Sequence, residues 1–121
     1  MKLTTNTKEI TLRRWRVVEV ESRDGAKTRH FWGHDAAKNA GRASSAIQKF
    51  DKETMSATTQ SGSVYRLAGL PGNSRLGKTA WEDWCKGSHI IAERDVTNEY
   101  LDISKVSTVG FERLNHSVLD E

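Results

Sequence analysis

The sequence predicts an α+β domain: a curved, mainly antiparallel sheet of five to six strands, a meander in part, packed by one short helix. Short runs of alternating β-branched and aromatic residues are separated by turn dipeptides, the pattern of hairpins. One segment alone, 79–86, has helical spacing of its large apolar residues. At 121 residues with 36% hydrophobic content, the chain supports one modest core. The expected layout is a single domain over 1–103, with 104–121 as a C-terminal tail or short helix.

Residues 1–9 are polar and expected to be loose. ITLRRWRVVEVES, 10–22, reads as a strand because β-branched and aromatic side chains suit a pleated, half-buried surface. Asp24-Gly25 follows, a pair that tolerates positive φ and so closes a hairpin. KTRHFW, 27–32, returns as its partner. The stretch 33–42 is a polar excursion with a helical turn at AAKNA. Three short strands then form the meander, at 44–50, 55–60 and 63–68, joined by turns at Asp51 to Thr54 and at Ser61-Gly62. Gly69-Leu70-Pro71-Gly72 breaks the sheet. In TAWEDWCK, Thr79 is the expected N-cap with Glu82 completing a capping box, and Gly87 stops the helix. Trp81, Trp84 and Cys85 share one helical face. An apolar HIIA segment at 89–92 and a further strand at 96–103 end the reading.

Charge is distributed unevenly. Residues 1–50 hold eleven Lys and Arg against five Asp and Glu; residues 51–121 hold eight against eleven. A basic half points to an anionic partner, nucleic acid included. It is equally the signature of two halves that attract one another within the fold or across a homodimer. No run of apolar residues is long enough to cross a membrane, and the opening residues lack the apolar core of a secretory leader. The single cysteine, Cys85, forms no internal disulfide, as expected of a cytoplasmic protein.

GNSRLGKT, 72–79, fits the phosphate-loop pattern G-x-x-x-x-G-K-[ST] letter for letter. Arg75, Lys78 and Thr79 are therefore candidate anion-binding residues. A working phosphate loop joins a buried parallel strand to a long helix N-terminus, whereas the preceding SVYRLAG alternates and reads as an antiparallel strand. The motif is accordingly not expected to bind nucleotide, and no cofactor is called for. A small anion- or nucleotide-binding enzyme using the 72–79 loop is kept as the alternative.

LRRWR and KTRHFW place arginines and aromatics on one hairpin, the ingredients of a single-strand nucleic-acid surface. Arg14, Arg16, Arg29 and Trp32 are the candidates for contact with nucleic acid or another partner. Alternation, however, sets Trp15 and Val17 opposite Arg14 and Arg16, so basic and aromatic side chains do not share one clean face. His30, His34, Cys85 and His89 offer zinc-ligand chemistry, but i, i+4 spacing converges only on a helix and HFWGH reads as strand into loop. Cys85, on the Trp81–Trp84 face, is expected to be an inert core thiol. No catalytic residues are assigned.

The run GRASSAIQKFDKETMSATTQSGSVYRLAGLPG, 41–72, followed by W-x-x-W at Trp81 and Trp84, resembles small bacterial proteins carried on mobile DNA, such as integron gene cassettes and phage or plasmid cargo. That resemblance implies an accessory cytoplasmic protein and carries over no site residues. The function expected is a non-enzymatic binding module that engages a protein or nucleic acid partner.

Overall fold

A computed structural model describes residues 8–101. Among these residues are seven strands, one α-helix and one 3₁₀ turn: β1 (Glu9–Ser22), β2 (Lys27–Asp35), β3 (Ala40–Ala43), β4 (Ile47–Asp51), β5 (Ser56–Thr59), β6 (Val64–Ala68), α1 (Arg75–Lys86), β7 (Ile90–Asp95) and the turn Thr97–Glu99. The strands form one open, curved sheet in the order β3-β2-β1-β6-β5-β4, with β7 also paired to β1. The fold is α+β with a mainly antiparallel sheet.

β1 organises the sheet. β2 runs antiparallel along one edge, from Leu12↔Asp35 to Glu21↔Lys27. The other edge is divided: residues 9–13 pair β6 in parallel, and residues 18–22 pair β7 antiparallel. The division falls where the β1–β2 register shifts between Arg13 and Arg16, and there Arg14 has φ 50°. This is a β-bulge, one extra residue that bends the strand and shifts its side-chain alternation. Ile10 and Leu12 would otherwise face away from Trp15 and Val17; the bulge brings all four into one buried cluster with Phe31 and Tyr65. A second cluster, Val18, Val20, Trp32 and Trp81, lies on the opposite face beneath α1.

Several boundaries differ from the sequence reading. The excursion at 33–42 is mostly strand: β2 continues to Asp35, whose carboxylate accepts the Ala37 and Lys38 amides, and β3 returns from Ala40. The β4-β5-β6 meander is antiparallel as expected, yet β6 closes onto β1 in parallel. α1 begins four residues earlier than expected. Its N-cap is Ser74, whose hydroxyl accepts the Gly77 amide at 3.0 Å; Thr79 lies inside the helix, and its hydroxyl donates back to the Arg75 carbonyl. The strand expected at 96–103 is instead β7 at Ile90–Asp95 followed by the 3₁₀ turn. Residues 102–103 of that segment, and the tail or helix at 104–121, lie outside the described residues.

Three glycines let α1 lie close on the β2–β3 hairpin. A Cβ on Gly77 would stand 2.6 Å from the Gly33 carbonyl oxygen and 2.7 Å from its Cα. A Cβ on Gly41 would collide with the Leu76 backbone. Ala ordinarily stabilises a helix interior by about 0.8–1 kcal/mol over Gly. Here the contact reverses the sign: Gly77→Ala is expected to cost about 1–3 kcal/mol, the usual range for overpacking. Lys78→Ala, on an exposed position, should stay within about 0.5 kcal/mol of wild type. Chemical denaturation of both variants checks the pair; a neutral Gly77→Ala would mean that the helix is not held by this contact.

Candidate functional site

Two of the hairpin arginines, Arg16 and Arg29, are engaged by acids, Asp95 and Glu99 from the C-terminal half of the chain and Glu19 from β1. Arg16 Nε meets Asp95 Oδ2 at 3.1 Å. Arg29 bonds Glu19 at 3.1 Å and Glu99 at 2.8 Å, and its guanidinium lies over the Tyr100 ring at 5.8 Å from the centroid. Arg94 adds a 3.1 Å bond to Glu19. Bonds from Arg94 and Arg29 hold the Glu19 carboxyl below the usual carboxylate range. Burial works to raise Asp95, but its bonds from Thr97 and Arg16 prevail and hold it below the ordinary value. The uneven charge of the two halves is thus met in part within the fold. Trp32 is buried under α1 and offers no exposed face for stacking. Arg14 is exposed at the bulge, with Gly72 against its side chain. The structure does not gather Arg14, Arg16, Arg29 and Trp32 into one surface.

The phosphate-loop motif also has a structural account. The Gly72 amide donates to the Trp15 carbonyl, the Gly77 amide to the Ser74 hydroxyl, and the Lys78 amide to the Ser74 carbonyl. A phosphate cradle needs such amides free. Gly77 is glycine because of its close approach to Gly33. Arg75, Lys78 and Thr79 are exposed on the first turns of α1.

His30 is nearly fully buried between the sheet and α1. Its Nδ1 lies 2.9 Å from the Ser44 carbonyl oxygen, which can only accept, so Nδ1 carries the proton. Nε2, 2.7 Å from Thr28 Oγ1, then accepts from that hydroxyl. The ring packs 4.5 Å from Trp84, which stacks on Trp81 at 5.0 Å. His30 is committed to this packing, and among the described residues no three His, Cys, Asp or Glu side chains are grouped to hold a metal. Burial pushes the Cys85 thiol up to about 11, with Glu93 and Glu82 adding to the effect, so it stays protonated at neutral pH.

Among the described residues, one concave feature that joins apolar surface to charge lies between α1 and β7. Its outer part, about 430 Å³, is lined by Trp81, Cys85, Ile90, Ile91, Glu82 and Glu93. A deeper part of about 250 Å³ reaches Val18, Trp32, Lys78 and Asp95. Trp81 Nε1 donates to Glu93 Oε1 at 2.9 Å and fixes that carboxylate at the cleft wall. Ile91 is 59% exposed beside it. A depression of about 460 Å³ on β4 and β5 is lined by both signs of charge, Lys49, Lys52 and Asp51. Sequence reasoning placed Glu82 in a first helical turn and gave Glu93 and Ile91 no role. The signal available was the IIAERD run itself, apolar at one end and acidic at two alternate positions.

No family model, curated protein or solved structure matches this chain, so the site stands on its geometry. No helix among the described residues is long and apolar enough to cross a membrane.

Burial also lowers the His30 pKa below its ordinary 6.5, so its neutral form belongs to the native state. As pH falls below about 6.5 the unfolded chain takes up a proton that the native protein refuses, and stability drops with pH. Urea midpoints measured from pH 7.5 to 5.5 should therefore decline in the wild type and decline less steeply in His30→Gln. An unchanged slope in the variant would show that His30 is not the group responsible.

Proposed function

We propose that this protein is a non-enzymatic binding module whose partner is a protein, engaged at the cleft between α1 and β7. The observation that carries this reading is the cleft itself: an apolar floor with Trp81 and Ile90, a polar rim, and an exposed isoleucine on an adjoining edge strand. Interfaces that bind proteins combine a buried apolar centre with such a rim. The thiol at its wall stays protonated, which suits recognition better than covalent chemistry. An accessory bacterial role, implied by the resemblance of the 41–72 run, belongs to the same proposal and rests on that run.

Nucleic acid is the competing partner, because Arg14, Arg75 and Lys78 remain exposed. Against it, Arg16 and Arg29 already neutralise internal carboxylates. Fluorescence-anisotropy titrations on single- and double-stranded oligonucleotides should stay flat at about 50 mM salt, where electrostatic binding is strongest. Saturable binding whose log K versus log salt slope falls by about 0.7–0.9 on Arg14→Ala would favour nucleic acid instead. A pull-down that quantifies bound protein and bound nucleic acid separately should return protein, and lose it with Ile91→Lys.

A further inference from the structure

The outer cleft and the outward edge of β7 lie side by side, and their chemistry specifies what fits them. Among the described residues β7 pairs β1 alone. The Val96 amide donates to the Val17 carbonyl, and an antiparallel ladder alternates. Arg94 and Ala92 therefore direct their backbone groups to β1, while Glu93 and Asp95 direct theirs outward. An unpaired row of this kind is a template for another strand. Glu93 stands opposite Val20 and Asp95 opposite Val18, so both carboxylates lie on the face that α1 covers in part. The outer cleft contains Glu82 and Glu93 and no Lys or Arg. Asp95 already has Arg16, and Lys78 lies in the deeper part. Both glutamates act to raise the nearby Cys85 thiol, which is a second sign of a negative field there.

We infer that β7 receives an extended, lysine- or arginine-bearing segment of a partner protein, which adds to the sheet as an edge strand and lays its basic side chains into the α1–β7 cleft. This deepens the binding-module reading and rests on it. A strand added to β7 places every second side chain on the α1 face, within about 4.5–5.5 Å of its neighbour across the pair. Lys or Arg there rests its aliphatic stem on Trp81 and Ile90 and brings its cation to Glu82 and Glu93. A second copy of this chain is a poorer occupant: pairing β7 with β7 would bring a second Glu93 and Asp95 to the same face, and facing like charges destabilise. The same carboxylates repel a phosphate backbone.

The test uses the full chain with two fluorescein-labelled probes, an alternating Lys-Val peptide and its charge-reversed Glu-Val counterpart. The basic peptide should bind, weaken as salt is raised, and shift the amide resonances of Ile91, Glu93 and Asp95. The acidic peptide should bind at least about tenfold more weakly, a difference of about 1.4 kcal/mol. Glu82→Gln with Glu93→Gln keeps an acceptor for Trp81 and should lower the basic peptide's affinity about tenfold. Ile91→Lys, on an exposed position that leaves the core intact, should do the same. Equal binding of both probes, or shifts confined to other strands, would overturn the inference while leaving the binding-module reading standing. Binding of neither probe also overturns it; a pull-down that returned no protein would then remove the binding-module reading as well. A doubled mass by light scattering, lost with Ile91→Lys, would assign β7 to a second copy and overturn the basic-segment inference.

Discussion

Arg14 holds a left-handed backbone conformation in the middle of β1, and the rest of the sheet depends on that one irregularity. A non-glycine residue there costs about 1–2 kcal/mol relative to an ordinary strand conformation. In return, the extra residue shifts the alternation of β1 by one position. Without it, Trp15 and Val17 would point away from Ile10 and Leu12, and the cluster they share would not close. The bend also ends the β1–β6 pairing at Arg13 and frees residues 18–22 of the same edge for β7. The loop after β6 is tied to the same place: Trp15 Nε1 donates to the Gly69 carbonyl and the Gly72 amide to the Trp15 carbonyl.

From this follows the position of the cleft. β7 can stand beside β1 only because β6 stops short. α1 reaches the opposite face only because the loop from Gly69 crosses at the bulge. The helix then settles on β2 and β3 through Gly77 against Gly33 and Leu76 against Gly41. Its aromatic pair covers His30, and Trp81 turns its indole N–H to Glu93 on β7. The gap left between helix and strand is apolar below and acidic at the wall. The cleft is a consequence of where the sheet was interrupted.

The charges show how one composition can carry two meanings. A basic N-terminal half reads as an anion-binding surface when residues are counted along the chain. In space, Arg29 and Arg94 share Glu19 and Glu99 in a network on one face of the sheet, and Arg16 pairs Asp95 on the other. Exposed pairs of this type contribute little stability each. Their larger effect is to occupy the guanidinium groups that an anionic partner would need.

The sequence by itself determined the elements that local chemistry dictates. Asp24-Gly25 fixed the first hairpin through its tolerance of positive φ, and Gly25 has φ 91°. Alternation marked the meander, and i, i+3, i+4 spacing marked the helical face of Trp81, Trp84 and Cys85, all three of which pack on the second cluster. Only the tertiary structure decided the bulge at Arg14, the parallel closure of β6 on β1, and the pairing of residues 90–95 with 18–22. These join residues far apart in the chain, and the preferences of the residues involved do not encode them. The same holds for GNSRLGKT. Its glycine spacing is visible in the sequence, but Gly77 is required by Gly33, which lies 44 positions earlier and meets it only once helix and sheet have packed. Glu82, Ile91 and Glu93 come together at one cleft for the same reason, since a cleft exists only between elements that have already found each other.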